Sequence, residues 1–133
     1  MNEHRYASLA TRRRSGAVVR TPVWFAEAGG RIYVFTAGES GKVKRVRHTP
    51  SVQLAPCDAH GAIRGAWRDG TARLLHDRAA AGAAHAALLA KYGWQMRVLD
   101  LFSWLTGRIG RRAWIEITLD PNGGPSTHVP PAS

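Results

Sequence analysis

Val18-Val19-Arg20-Thr21-Pro22-Val23-Trp24-Phe25-Ala26-Glu27-Ala28-Gly29-Gly30-Arg31-Ile32-Tyr33-Val34-Phe35-Thr36 is the stretch that decides the fold. Its first half is rich in β-branched and aromatic residues. Gly29-Gly30 then supplies positive φ at little steric cost, as a two-residue hairpin turn requires. From Ile32 to Thr36 every residue is β-branched or aromatic, which suits a return strand. Two long strands joined by a tight turn imply antiparallel pairing and a mainly β domain.

Working outward, residues 3–11 read as a short opening helix with Tyr6, Leu9 and Ala10 on one side. Arg12 to Gly16 reads as a turn. Residues 41–48 carry Val43 and Val46 one helical turn apart, and Thr49-Pro50 stops that helix. Ser51 to Cys57 is a third strand and Asp58 to Gly61 a turn. Ile63 to Leu75 reads as a strand pair or one strand bent around Asp69-Gly70, with Gly65 and Gly70 as bulges or bends. Residues 78–92 are Ala-rich and helical, and Gly93 breaks the run. Residues 94–106 form a second helix, in which Trp94, Val98, Leu101, Phe102 and Leu105 recur on one face, and Trp94, Phe102 and Trp104 are expected to be core or dimer contacts. Residues 113–119 alternate like a last strand. The expected architecture is one α+β, mainly β domain over residues 1–120, a sheet or barrel with short helices filling its gaps. The Pro/Gly/Ser-rich residues 121–133 read as a disordered tail.

The 133 residues suit one domain with its own core. Nineteen Lys and Arg against nine Asp and Glu give a net charge of +10, which concentrates anionic partners near the surface. Nucleic acid, a lipid surface and a polyanionic small molecule all satisfy that charge. Cys57 is the sole cysteine, so neither an internal disulfide nor a cysteine-based zinc site can form, and a reducing cytoplasm is the default setting. No apolar signal segment or membrane-spanning run is present. The six histidines are scattered without ligand-like spacing, so no metal is assigned.

Ser40-Gly41-Lys42-Val43-Lys44-Arg45 carries the most specific chemistry. Ser40 can cap a helix, Gly41 lets an anion approach the backbone, and cations crowd a helix start that already bears partial positive charge. An external phosphate would complete that arrangement. A plain solvated basic face is the competing reading. A Walker A loop is excluded, because Gly38 and Gly41 stand too close and Val43 replaces the Mg-binding hydroxyl.

Arg20-Thr21-Pro22-Val23-Trp24-Phe25, Ile32 to Thr36, Ser40-Gly41-Lys42-Val43-Lys44-Arg45, Val52 to Pro56 and Gly70-Thr71-Ala72 follow in one order. Over roughly residues 5–120 this resembles the pyridoxamine 5′-phosphate oxidase-like flavin and deazaflavin oxidoreductases, and looks most like their actinobacterial branch that uses coenzyme F420. The resemblance implies a split β-barrel of the FMN-binding type and a homodimer with cofactor sites at the subunit interface. It places Arg20, Thr21, Pro22, Val23 and Trp24 along the tricyclic ring, with Phe35 and Thr36 close by. Ser40, Gly41, Lys42 and Lys44 fall at the phosphate. Trp67 and Arg68 would come from the partner subunit. F420, with its phosphodiester and polyglutamate, suits a chain of this charge better than FMN, the alternative cofactor. Gly41 stands where pyridoxamine phosphate oxidases carry a second basic residue, and their C-terminal Trp/Arg motif is missing, so vitamin B6 oxidation is not expected.

The activity so implied is hydride transfer from the reduced deazaflavin to an unsaturated small organic acceptor. No Ser-His-Asp or Cys-His constellation is visible, and no catalytic side chain is assigned; water or Tyr33 could supply a proton. Cys57 beside Pro56 reads as a buried strand thiol. A non-catalytic carrier of F420 or flavin keeps the same fold. A basic nucleic-acid module is the alternative of another class, but no recognition motif supports it, and neither nucleic acid nor membrane is an expected partner.

Overall fold

The computed structural model describes residues 4–37, 41–105, 112–120 and 130. Its strands are β1 (Tyr6–Arg12), β2 (Val18–Ala28), β3 (Arg31–Ala37), β4 (Ser51–Cys57), β5 (Arg68–Leu74) and β6 (Arg112–Leu119). Its helices are α1 (Gly41–His48), α2 (Arg78–Tyr92) and α3 (Trp94–Leu105). The strands close into an antiparallel barrel in the order β1-β2-β3-β6-β5-β4, with β4 returning to β1. Closure gives each strand two hydrogen-bonded neighbours, which removes the unpaired edges of an open sheet. The expected mainly β barrel with short helices is the fold observed.

The opening hairpin forms as its residues dictate. Gly29 and Gly30 turn with φ of +60° and +76°, and Trp24 faces Phe35 across the ladder. Period-two alternation sends Val23, Phe25, Ile32 and Val34 into the barrel, where they meet Leu9, Leu54, Ile115 and Ile117. Val46 of α1 joins that core from one end. Outside the barrel, α2 packs on the wall built from β2, β3 and β6, burying Ala84, Leu88 and Tyr92 against Ala26 and Trp114. Asp77 caps α2 by accepting from the Ala79 amide, and Gly93 ends it at φ +60°.

Three expectations are corrected. The segment expected as an opening helix is β1, hydrogen-bonded on one side to β2 and on the other to β4. Its alanines favour a helix locally, but the small side chain of Ala10 is what a covering Trp67 accepts. The stretch from Ile63 to Leu75 supplies only β5; before it runs a loop with one bridge, Cys57 to Ile63. Gly70 is no bulge but a close approach, since a Cβ there would lie 3.0 Å from both the Ile117 Cγ2 and the Thr118 carbonyl oxygen. Finally, within this chain α3 does not bury the Trp94–Val98–Leu101 face, so of the core and dimer-contact readings it is the core reading that is corrected. Met96 and Leu99 pack inward instead, and the three larger residues face out. The side chains of Phe102, Trp104 and Leu105, and the tail at 121–129 and 131–133, lie outside the described residues.

Candidate functional site

One mouth of the barrel is closed by α1, and the first turn of that helix carries no acid. Gly41 opens the helix. Lys42 is half-buried there, while Lys44, one turn face away, is exposed. Burial, and then the neighbouring Arg45 guanidinium, push the Lys42 ammonium below the usual lysine range. Arg45 folds back along its own helix. Its Nε donates to Thr11 Oγ1 at 2.6 Å, and its Nη1 would lie 2.6 Å from a Cβ built on Gly41. Burial and Arg13 lower the Arg45 pKa as well. Among the described residues no carboxylate pairs with Lys42 or Arg45. Arg14 contacts the ring nitrogen Nε2 of His48 at 2.8 Å on the same side of the barrel.

Such a cluster is electrostatically incomplete. Cations that repel one another at a helix N-terminus, partly removed from water, are stabilised by an anion that takes backbone N–H donors and side-chain donors together. Gly41 presents bare backbone here, and the Arg45 guanidinium lies where its Cβ would project. The donor set therefore fits a phosphate. Ser40 lies outside the described residues.

The β2 residues divide by face. Arg20 pairs across the ladder with Ala10 and shares its face, opposite to the face of β1 on which Thr11 meets Arg45. The Arg20 guanidinium lies 4.8 Å from the centre of the Trp67 ring, a cation–π contact, and Trp67 itself is buried on Ala10 and Ala55 of the same chain. Thus Trp67, expected from a partner subunit, already meets Arg20 within one chain. Thr21 has a buried Oγ1 with no hydrogen-bond partner. Pro22 is exposed, and the Val23 side chain is inside the core. Thr36 is buried. Arg68 leaves its Nε buried without a partner.

Trp24 and Phe35 sit under the α2 layer rather than in the open. Tyr92 stacks on Trp24 with centroids 4.5 Å apart and planes at 12°, and Phe35 meets Trp114 at 5.3 Å. One face of each ring has a protein neighbour already. The structure thus sets Gly41, Lys42 and Arg45 at the start of α1, Arg20 with Trp67 on the outer face of β1, and Trp24 and Phe35 on a separate aromatic wall.

Sequence reasoning named Arg45 but not its contact with Thr11, 34 positions away, and it did not single out two further groups. The Tyr92 hydroxyl accepts from the Phe25 amide at 3.0 Å and lies 2.6 Å from the Arg5 carbonyl oxygen, to which it donates. Glu116 accepts from both Arg31 and Arg73, at 3.2 and 3.0 Å, on the outer β3–β6–β5 wall. Burial and Asp58 raise the Cys57 pKa, which keeps it a thiol as expected of a buried strand cysteine. A separate open cleft of about 570 Å³ lies between α1, β5 and the start of α2, with Arg47, Arg73 and His76 on its lining. No helix among the described residues is long and apolar enough to cross a membrane.

No curated protein is significantly similar in sequence. Solved structures are similar in fold. A conserved hypothetical protein of Mycobacterium tuberculosis superposes with a TM-score of 0.67 at 21% identity, over 98% of this chain and 87% of the other. An F420 reductase gives 0.60 at 18% identity, over 86% of each chain. A heme storage protein of Vibrio cholerae gives 0.70 at 13% identity, over 89% and 83%. At these identities the likeness concerns the fold alone. The model of the pyridoxamine 5′-phosphate oxidase family, by contrast, matches residues 1–122, the whole barrel with its helices. The chain belongs to the pyridoxamine 5′-phosphate oxidase family.

Proposed function

We propose that this chain is an F420-dependent oxidoreductase that delivers a hydride to an unsaturated small organic acceptor. It works in the reducing cytoplasm as a homodimer with the cofactor at the subunit interface. The observation that carries the reading is the half-buried Lys42, at a helix start with no acid in its first turn and with the Arg45 guanidinium as a neighbouring cation. Bound there, the reduced deazaflavin supplies the hydride, and the protein's part is to bind, orient and exclude water.

In this reading Lys42 and the Gly41 amide hold the phosphate. Arg45 is withdrawn toward Thr11 in the described state and swings onto the same anion when it arrives. Arg20, fixed over Trp67, faces the anionic tail. Thr21 lines the ring through the β2 backbone, its own hydroxyl being buried beside Leu9. Lys44, exposed on the helix, adds only field. The net charge of +10 supports F420 over FMN, because the phosphodiester and polyglutamate present more negative charge than a single phosphate.

The test is titration of the purified protein with F420 and with FMN, followed by cofactor fluorescence. Micromolar or tighter F420 binding is expected. Lys42→Ala should weaken it by about 1.5–3 kcal/mol, the range for a hydrogen bond to a charged group. Tight FMN binding with none of F420 would overturn the cofactor assignment. F420 binding without turnover of any electron-poor alkene or imine would leave a carrier in place of an enzyme.

A further inference from the structure

The cleft of about 570 Å³ beside the barrel mouth follows from where the two flanking helices pack. α1 lies on β1 and β5, whereas α2 lies on β2, β3 and β6. The end of β5 falls between them and is only partly covered. Leu74 packs on the barrel core and Leu75 on the α2 layer, and both stay half-buried where the two cores meet. Together with Ala80 from the first turn of α2 they give the cleft an apolar floor. Its charged lining is mostly engaged already. Arg73 donates to Glu116 at 3.0 Å, and Asp77 Oδ1 accepts from the Ala79 amide at 3.2 Å. Arg47, exposed on the last turn of α1, has no ion-pair partner among the described residues. The start of α2, a helix of 15 residues, adds partial positive charge to the same wall.

We propose that this cleft binds a small amphiphilic carboxylate, one carboxyl group on a short hydrocarbon body, independently of the cofactor reading. The volume lies within the range of small-molecule sites. The hydrocarbon body covers Leu74, Leu75 and Ala80 and removes their exposed surface from water. The carboxylate meets the Arg47 guanidinium, whose planar fork holds it through two parallel hydrogen bonds. Charge and polarity select this class together. The unmatched charge in the lining is a single cation, which a monoanion balances. An apolar amine would be repelled by Arg47 and by the helix start, and a small polar anion would leave the floor uncovered. The site is distinct from the phosphate cluster: Gly41 and Lys42 stand in the first turn of α1 and Arg47 in the last, and neither of the first two lines the cleft.

The test is calorimetric titration of the full chain with decanoate, decylammonium and acetate, without and with saturating F420. Decanoate is expected to bind saturably, one per chain, with a Kd on the order of 100 μM, the affinity open to a ligand of this size. Decylammonium and acetate should each bind at least about tenfold more weakly, because one lacks the charge and the other the body. Arg47→Glu should weaken decanoate about tenfold or more, the loss of a hydrogen-bonded charge partner. Ala80→Trp fills the floor and should weaken it about as much. Arg47 is exposed, so its variant decides the matter even if Ala80→Trp does not fold. Arg97→Glu makes the same charge change on the exposed face of α3, outside the cleft, and should alter binding by less than about threefold. Four results would overturn the proposal. The first is no saturable decanoate binding. The second is equal binding of decylammonium, which would leave an apolar slot without charge selection. The third is an equal loss in Arg47→Glu and Arg97→Glu, which would reduce the effect to net charge. The fourth is displacement of decanoate by F420, which would put it in the cofactor's site.

Discussion

Lys42 is a cation held where the cofactor-free chain least favours one. Its charge is opposed by partial burial and by Arg45, and its pKa is lowered in consequence. A lysine pKa that is lower in the folded than in the unfolded chain costs stability while the group is charged. The cost is present at neutral pH and disappears as pH rises past the ordinary lysine value. Lys42→Met, which keeps the aliphatic stem, should therefore raise the stability of the cofactor-free protein in urea. Solvent reaches half of the side chain, so the gain is at most about 1 kcal/mol. The same variant should lose cofactor affinity, the usual opposition between stability and function at a binding site. A stability unchanged or lowered would mean that Lys42 is satisfied by the protein alone.

At the scale of elements, Tyr92 ties the end of α2 to β2 at the point where β1 has just begun. Phe25 lies one position beyond the last β1–β2 pair, Tyr6 with Trp24, so its amide has no strand partner there. The Tyr92 hydroxyl takes that place. Tyr92→Phe keeps the ring on Trp24 but leaves a buried amide unsatisfied, at a cost of about 1–3 kcal/mol in urea denaturation. Burial pushes the phenol up to about 12. A group whose folded pKa lies above its unfolded one stabilises fully below the unfolded value and loses that contribution as pH climbs to the folded one. Wild-type stability should therefore decline between about pH 10 and 12, and Tyr92→Phe should flatten that part of the profile.

The elements legible in sequence were those whose cause is local. The Gly29-Gly30 hairpin, α1, β4, α2 with its Gly93 stop, and β6 follow from turn chemistry, periodicity and propensity. β1 was not legible, because its two partners come from elsewhere in the chain and nothing in Tyr-Ala-Ser-Leu-Ala announces them. Periodicity in α3 reveals an apolar face but not its direction; the inward pull of Asp100 on His85 and the packing of Met96 decided that. At the candidate site, Lys42 and Gly41 were legible from the helix-start chemistry. The Arg45–Thr11 contact and the meeting of Arg20 with Trp67 depend on barrel closure and could not be read from spacing.

For the whole molecule, the charge of +10 is spread over many residues, and its long-range part is screened by salt. If F420 binds through that field as well as through Lys42, its affinity should fall more steeply with ionic strength than that of FMN. Titrations at about 0.05 and 0.3 M salt, with Debye lengths of roughly 14 and 6 Å, measure the difference. Equal slopes for the two cofactors would confine recognition to the single phosphate they share.

The barrel order also governs how the chain can be made. β6 sits between β3 and β5, and pairs Ile32 with Ile117 and Leu74 with Ile115. Until residues 112–119 have been synthesised, the nascent chain therefore holds two strands with bare edges and a half-lined core. Bare edges of that kind invite pairing with other chains and are held apart by chaperones. The step that ends this vulnerability is also the least local one, since it joins positions about 85 residues apart, and such closures are slow. A ribosome stalled before β6 would thus release a sticky sheet in place of a partly active protein.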